Sequence, residues 1–281
     1  MKLKLWQVDA FADRPFGGNP AAVVPLESWL DDAVLQAIAN ENNLAETAFL
    51  VRREAGLYDL RWFTPTVEVP LCGHATLASA WVIFAELAPK LPAVRFATQS
   101  GILTVERSAD GRHSMAMPAG RVESLPAPEG FGRALGDALR VGPPSEIHFA
   151  PKGAGGTPAP IGVWPEAAIR AMRYSGSLAN VLSEAGAGAL LATAQGNSAP
   201  YDFVSRFFAP GMGVPEDPVT GSTHCGLIPY WAKRLGKANL RARQVSPRTG
   251  DLFCAFRPLP GGDRVHIGGN AVTYLEGTIT I

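Results

Sequence analysis

The chain is short of cysteine, histidine and net charge. Its three cysteines, Cys72, Cys225 and Cys254, form an odd set with no C-x-x-C spacing. That argues against a disulfide framework, and the three are expected to be reduced thiols of a cytoplasmic protein. Lys plus Arg and Asp plus Glu balance at 25 each, with no basic arm and no acidic tail. No electrostatic footprint for nucleic acid results. No segment approaches the ~18 uninterrupted apolar residues of a membrane-spanning helix, and the N-terminus lacks the apolar core of a signal peptide. No membrane partner is expected. His113, His148, His224 and His266 are scattered, and Cys72-x-His74 alone lacks further ligands by spacing, so no metal is expected. G-x-S-x-G, Rossmann and Walker patterns are also missing. What is left is acid/base chemistry on a small anionic molecule without a cofactor.

Glycine and proline are plentiful, at 30 and 24, and point to many turns between short strands. They also punctuate a duplication. "YDLRWFTPTVEVPLCGHATLASAWVIF" (58–84) aligns with "YDFVSRFFAPGMGVPEDPVTGSTHCGLIPYWAKRLG" (201–236). Each reads Tyr-Asp, an apolar strand with an arginine, a Pro-containing loop, a glycine between polar residues, then a helix. The strand–turn–strand that follows also matches, and Gly101 and Gly250 keep nearly the interval that separates Gly73 from Gly221. The expectation is an α+β chain of two pseudo-symmetric lobes, each a curved sheet around one central helix. The first spans 1–118, completed by a C-terminal strand at 270–281, and the second spans 119–269. A connector is read at 119–132. "KGAGGT" (152–157) is read as a loop, because its lysine precedes the glycines. Pro229 is expected to kink the second helix.

Two such lobes predict a ligand cleft between them. Each offers a helix N-terminus opened by glycine, Gly73 and Gly221, whose unpaired N–H groups suit a carboxylate or phosphate. Ser222 and Thr223 add hydroxyl donors. Three groups can handle protons. Glu46, between a helix end and an apolar strand, is either an exposed edge residue or a functional carboxylate with a raised pKa. His74 sits where the helix dipole opposes a cation, which favours a neutral imidazole. Asp217 either steadies its own turn or serves the site.

"VDAFADRPFGGNPAAVV", "NLAETAFLV", "FTPTVEVPLCGHATLASA", "SRFFAPGMGVPEDPVTGSTHCGLIPYWAKRLGK" and "RQVSPRTGDL", in that order over nearly the whole chain, resemble the phenazine-biosynthesis PhzF-like family. The resemblance implies a diaminopimelate-epimerase-like fold with mainly antiparallel sheets. It also implies a cofactor-independent isomerase acting on a small carboxylate-bearing substrate, and a homodimer. It places the acid/base glutamate on Glu46, a supporting histidine on His74 and an assisting aspartate on Asp217. Asn19, Gly73, Gly221, Ser222 and Thr223 fall to substrate binding. Ala45 departs from the family's pattern, which has a hydroxyl residue there. The epimerase relatives use two cysteines before the helix-opening glycines. Here those places hold Cys72 and Thr220, which disfavours a two-thiol racemase. A racemase using Cys72 with another partner, and a ligand-binding protein without activity, are the alternatives.

Overall fold

The computed structural model describes residues 1–108, 110–120, 122, 127–150, 159–197 and 199–281. The 152–157 glycine loop and part of the 119–132 connector lie outside the described residues. The chain divides into two compact units, Met1–Met117 with His266–Ile281, and Pro118–Val265. No helix among the described residues is long and apolar enough to cross a membrane.

The first unit runs β1 (Lys2–Ala10), β2 (Asn19–Leu26), α1 (Asp32–Asn42), β3 (Glu46–Glu54), β4 (Leu57–Phe63) and the short β5 (Glu68–Val69). It continues with α2 (Gly73–Val82), β6 (Ala93–Thr98), β7 (Gly101–Arg107) and β8 (His113–Pro118). The second unit holds α3 (Phe131–Leu139), β9 (Glu146–Ala150), β10 (Ala159–Val163), α4 (Glu166–Ala171), α5 (Ser177–Glu184), β11 (Leu190–Gln195), β12 (Phe203–Ala209) and β13 (Val214–Asp217). There follow α6 (Gly221–Leu235), β14 (Asn239–Gln244) and β15 (Gly250–Arg257), and β16 (Arg264–Gly269) crosses from the second unit back into the first. The last strand, β17 (Ala271–Thr280), pairs antiparallel with β1, Lys2 opposite Thr280.

The duplication is repeated strand by strand. In the first unit β1–β2 is antiparallel, β2–β3 parallel, β3–β4 antiparallel, β4–β6 parallel and β6–β7 antiparallel. In the second, β9–β10, β10–β11, β11–β12, β12–β14 and β14–β15 follow the same alternation. The pairing is therefore mixed and mainly antiparallel in each unit. Helix α2 packs on β1, β2 and β3, and all its residues except Trp81 are buried. A helix apolar on every face must lie inside its unit. Its two interior hydroxyls turn back onto the helix, Thr76 to the Cys72 carbonyl at 2.6 Å and Ser79 to that of Ala75 at 2.8 Å. They thus bury no unpaired polar atom.

Helix α6 runs from Gly221 to Leu235 as one helix that includes Pro229. Proline cannot donate to the carbonyl four residues back, that of Cys225. The Gly120 N–H fills that position at 2.8 Å. A Cβ at Gly120 would lie 3.2 Å from the Gly226 backbone, so glycine permits the approach.

Each unit also carries an arginine–glutamate fork on the hairpin leading to its glycine-opened helix. Arg61 of β4 meets both carboxylate oxygens of Glu68 at 2.8 Å, and Arg206 of β12 meets those of Glu216 at 2.7 Å. The Arg61 guanidinium lies over Trp29 and Phe63, and that of Arg206 over Phe208.

His113 of β8 is buried, stacked on Phe84 with centroids 5.0 Å apart and edge-on to Trp81 at 5.5 Å. Neither ring nitrogen has a hydrogen-bond partner among the described residues. Burial, with the nearby Arg107 charge, pulls its pKa from 6.5 to about 4. The unfolded chain therefore takes up this proton first on acidification. The stabilisation is complete above pH 6.5 and fades as pH falls towards 4, by an amount on the order of 3 kcal/mol. His113→Phe is expected to flatten this limb of the urea midpoint against pH, and an unchanged slope would refute the assignment.

Candidate active site

Four side chains of the first unit converge beside the start of α2. Asn19 opens β2, reached through Gly18, whose φ is +60° and whose Cβ, if present, would strike the Ala10 carbonyl at 2.0 Å. Only glycine makes that turn. Glu46 opens β3 after α1 has closed on Asn43 in the left-handed conformation. The parallel register sets Glu46 opposite Ala21, two residues beyond Asn19. Cys72 is the N-cap of α2, with extended backbone and no capping bond from its side chain, and His74 lies in the first turn.

The imidazole of His74 is the hub. Nε2 lies 3.0 Å from Oε2 of Glu46, a contact close enough for an ion pair. Neither of these buried atoms has an aligned hydrogen-bond partner. Nδ1 faces the Asn19 amide nitrogen at 3.2 Å and the Cys72 sulfur at 3.5 Å. A neutral ring accepts from Asn19 at Nδ1 and carries its proton on Nε2, whereas an imidazolium, the form the Glu46 charge favours, carries protons on both nitrogens. Asn19 is fully buried.

Burial alone would raise the Glu46 pKa. The nearby His74 charge outweighs it, and the pKa is lowered. Glu46 is thus held as a carboxylate, opposite to the raised pKa its position in the sequence suggested. His74 is likewise pulled down by burial, yet the negative charges of its neighbours hold it well above 6.5. Burial and the Glu46 charge push Cys72 up to about 11, so near neutrality it is a thiol and Glu46 is the counter-charge that matters. The neutral imidazole expected from the helix dipole gives way to this nearer carboxylate.

The sequence spacing around His74 suggested no further metal ligands. In the fold, ligand atoms of Glu46, Cys72 and His74 lie within 4.8 Å of one another.

The second unit assembles its own group at the start of α6. Thr220, the N-cap, donates its hydroxyl to the Asp217 carboxylate. The buried Gln244 accepts the Thr220 N–H at 2.9 Å and donates to the Asp217 carbonyl at 2.7 Å. Ser246 donates to the same carbonyl at 3.3 Å. Thr223 turns its hydroxyl onto the Thr220 carbonyl at 2.9 Å, and Ser222 is half-buried beside Gly221. Gln244 and Ser246 had no role assigned from sequence, although "RQVS" stood in a recognised motif. Their part depends on a strand partner, which spacing does not reveal.

The sequence profile of the phenazine biosynthesis-like protein family matches residues 8–277. The chain belongs to this family. It is 48% identical over 279 residues to an uncharacterized isomerase of Pseudomonas aeruginosa, covering 99% of each chain. The crystal structure of a PhzF-family phenazine biosynthesis protein of Enterococcus faecalis superposes at TM-score 0.87 with 38% identity, over 100% of both chains. A hydroxyproline epimerase of Agrobacterium vitis, 11% identical, covers 99% of this chain and 92% of its own at TM-score 0.63, a likeness of fold alone. The fold is the α+β, diaminopimelate-epimerase-like one that the resemblance implied.

Proposed function

We propose that the protein is a cofactor-independent isomerase in which Glu46 moves a proton within a small carboxylate-bearing substrate. One observation carries this reading: a buried carboxylate and imidazole 3.0 Å apart, with the far ring nitrogen already occupied by Asn19. The Glu46 carboxylate takes a proton from an acidic C–H, and the electron pair left on carbon spreads into the substrate's conjugated system. The protonated Glu46 returns the same proton to another atom of that system, so substrate and product are isomers. His74 supports the carboxylate through Nε2 and balances its charge. The open N–H groups at the start of α2, near Gly73, receive the substrate's carboxylate. Asp217, Ser222, Thr223 and Gly221 form the corresponding group at the start of α6 in the second unit.

A pool of small aromatic and amino-acid carboxylates in D2O, followed by proton NMR, tests the reading. Enzyme-dependent loss of a C–H signal in one member supports it, and no exchange in any member opposes it. The alternative is a racemase whose base is the Cys72 thiolate, which sits 3.5 Å from the His74 ring. With Cys72 held at about 11, the thiolate is scarce near neutrality. Cys72→Ser is therefore expected to keep at least half of the exchange rate. Loss of exchange with the fold intact, judged by circular dichroism, would favour the thiol mechanism.

A further inference from the structure

The cluster at the head of α2 has the composition of a transition-metal site as well as of a proton-transfer site. We propose that Cys72, His74 and Glu46 bind one Zn²⁺ ion, or another divalent cation of similar softness, and that the ion blocks the site. Binding rests on geometry alone; the block rests on the Glu46 reading above.

Zinc sits about 2.3 Å from a thiolate sulfur and about 2.0 Å from an imidazole nitrogen in a tetrahedral shell, which separates the two ligand atoms by roughly 3.5 Å. The Cys72 sulfur and the His74 Nδ1 are 3.5 Å apart. A Glu46 carboxylate oxygen, the Cys72 sulfur and a His74 ring nitrogen lie within 4.8 Å of one another. Cys72 and His74 flank Gly73 on one helix end, and the Cys72 carbonyl holds both the N–H and the hydroxyl of Thr76. Two of the three ligands are therefore fixed before any ion arrives. The buried Oε2 of Glu46 and Nε2 of His74 lack aligned partners, so rearranging this pair breaks no well-formed hydrogen bond.

The donor set decides which ion is taken. One thiolate, one imidazole and one carboxylate suit Zn²⁺ and its neighbours, whereas Mg²⁺ and Ca²⁺ require six or more oxygen donors. Three protein ligands leave a fourth position for water. The ion takes the place of the Asn19 amide at Nδ1 and draws Glu46 away from Nε2. Both steps remove the arrangement through which Glu46 would act as a base. Zinc is thus an inhibitor of this site and not its cofactor.

Cobalt(II) serves as the probe, because its spectrum reports sulfur ligation and tetrahedral geometry. The full-length Cys225→Ser/Cys254→Ser protein, in which Cys72 is the sole thiol, is titrated with CoCl₂ under reducing conditions. The expected result is one equivalent bound, with a thiolate-to-cobalt charge-transfer band and intense visible bands, both bleached by ZnCl₂. Cys72→Ser removes the charge-transfer band. Glu46→Gln weakens binding by at least the roughly tenfold that loss of an outer-shell partner costs a metal site. Absence of stoichiometric cobalt, or a band that survives Cys72→Ser, overturns the proposal. Should a variant fail to fold, the wild-type protein supplies the same answer. Zn²⁺ is expected to protect Cys72 from iodoacetamide by peptide mass spectrometry, and equal labelling with and without Zn²⁺ overturns the proposal. The proton-transfer reading is judged separately by deuterium exchange. Cobalt bound through Cys72 with exchange untouched leaves the metal site standing and removes Glu46 and His74 from catalysis.

Discussion

Glu46→Gln is expected to lower the rate of substrate C–H exchange with D2O by about two to four orders of magnitude, the usual contribution of a positioned general base. Glutamine keeps the shape of the side chain and its reach to His74 but cannot accept the proton. The fold should survive, because Glu46 caps no helix and its neighbours in β3, Thr47 to Leu50, are held by the sheet on both sides. The same variant removes the charge that holds His74 above 6.5. Burial then dominates, and the His74 pKa should fall, which NMR of the ring can follow. Exchange that persists in Glu46→Gln, with the His74 pKa shifted as described, would show that another group is the base. The pair of readouts separates a lost base from a damaged site.

The second large effect is one of stability. Glu216→Ala should destabilise the protein by about 3–5 kcal/mol, because it strands the Arg206 guanidinium in a buried position. That guanidinium is 7% exposed and its partner carboxylate 12%. Its remaining bonds, to the Ile169 and Met172 carbonyls, leave the positive charge uncompensated. The corresponding fall in thermal midpoint is on the order of 10 °C. The equivalent fork of the first unit is more exposed, with Arg61 at 22% and Glu68 at 24%, and Arg61 also reaches Asp32. Glu68→Ala should therefore have a clearly smaller effect. Urea unfolding of both variants decides the matter: equal losses would mean that the Arg206 pair is as well solvated as the Arg61 pair. Arg206→Met together with Glu216→Leu is expected to recover much of the stability, since it removes both charges.

What the sequence made legible was local order and its repetition. The intervals between Gly73 and Gly221 and between Gly101 and Gly250 carried the duplication, and both helices begin at the glycines that predicted them. Glu46 and His74 were singled out separately, and the fold sets them together. Three things were not legible. Asn19 meets the His74 ring, a contact across 55 positions that no spacing reports. The direction of the Glu46 pKa depends on whether burial or a neighbouring charge wins, and only the 3.0 Å distance to His74 decides it. Nor does the sequence show that the Gly120 N–H reaches the Cys225 carbonyl, the acceptor that Pro229 cannot serve.

The pairing of β1 with β17 bears on how the chain is made. Lys2 stands opposite Thr280, and the Ile281 N–H reaches the Met1 carbonyl at 2.9 Å. The first unit is thus woven from the two ends of the polypeptide, whereas the second is one continuous stretch. During synthesis β1 emerges well before its partner β17, with the whole second unit made between them. The unit that carries Glu46 and His74 is therefore completed only after the second unit has been made. The adjacency of the ends also makes the molecule a natural subject for circular permutation, in which a short linker joins Ile281 to Met1 and new termini open at an exposed turn. In such a permutant β17 and β1 would become a hairpin, and the longest-range pairing of the fold would become one of its most local.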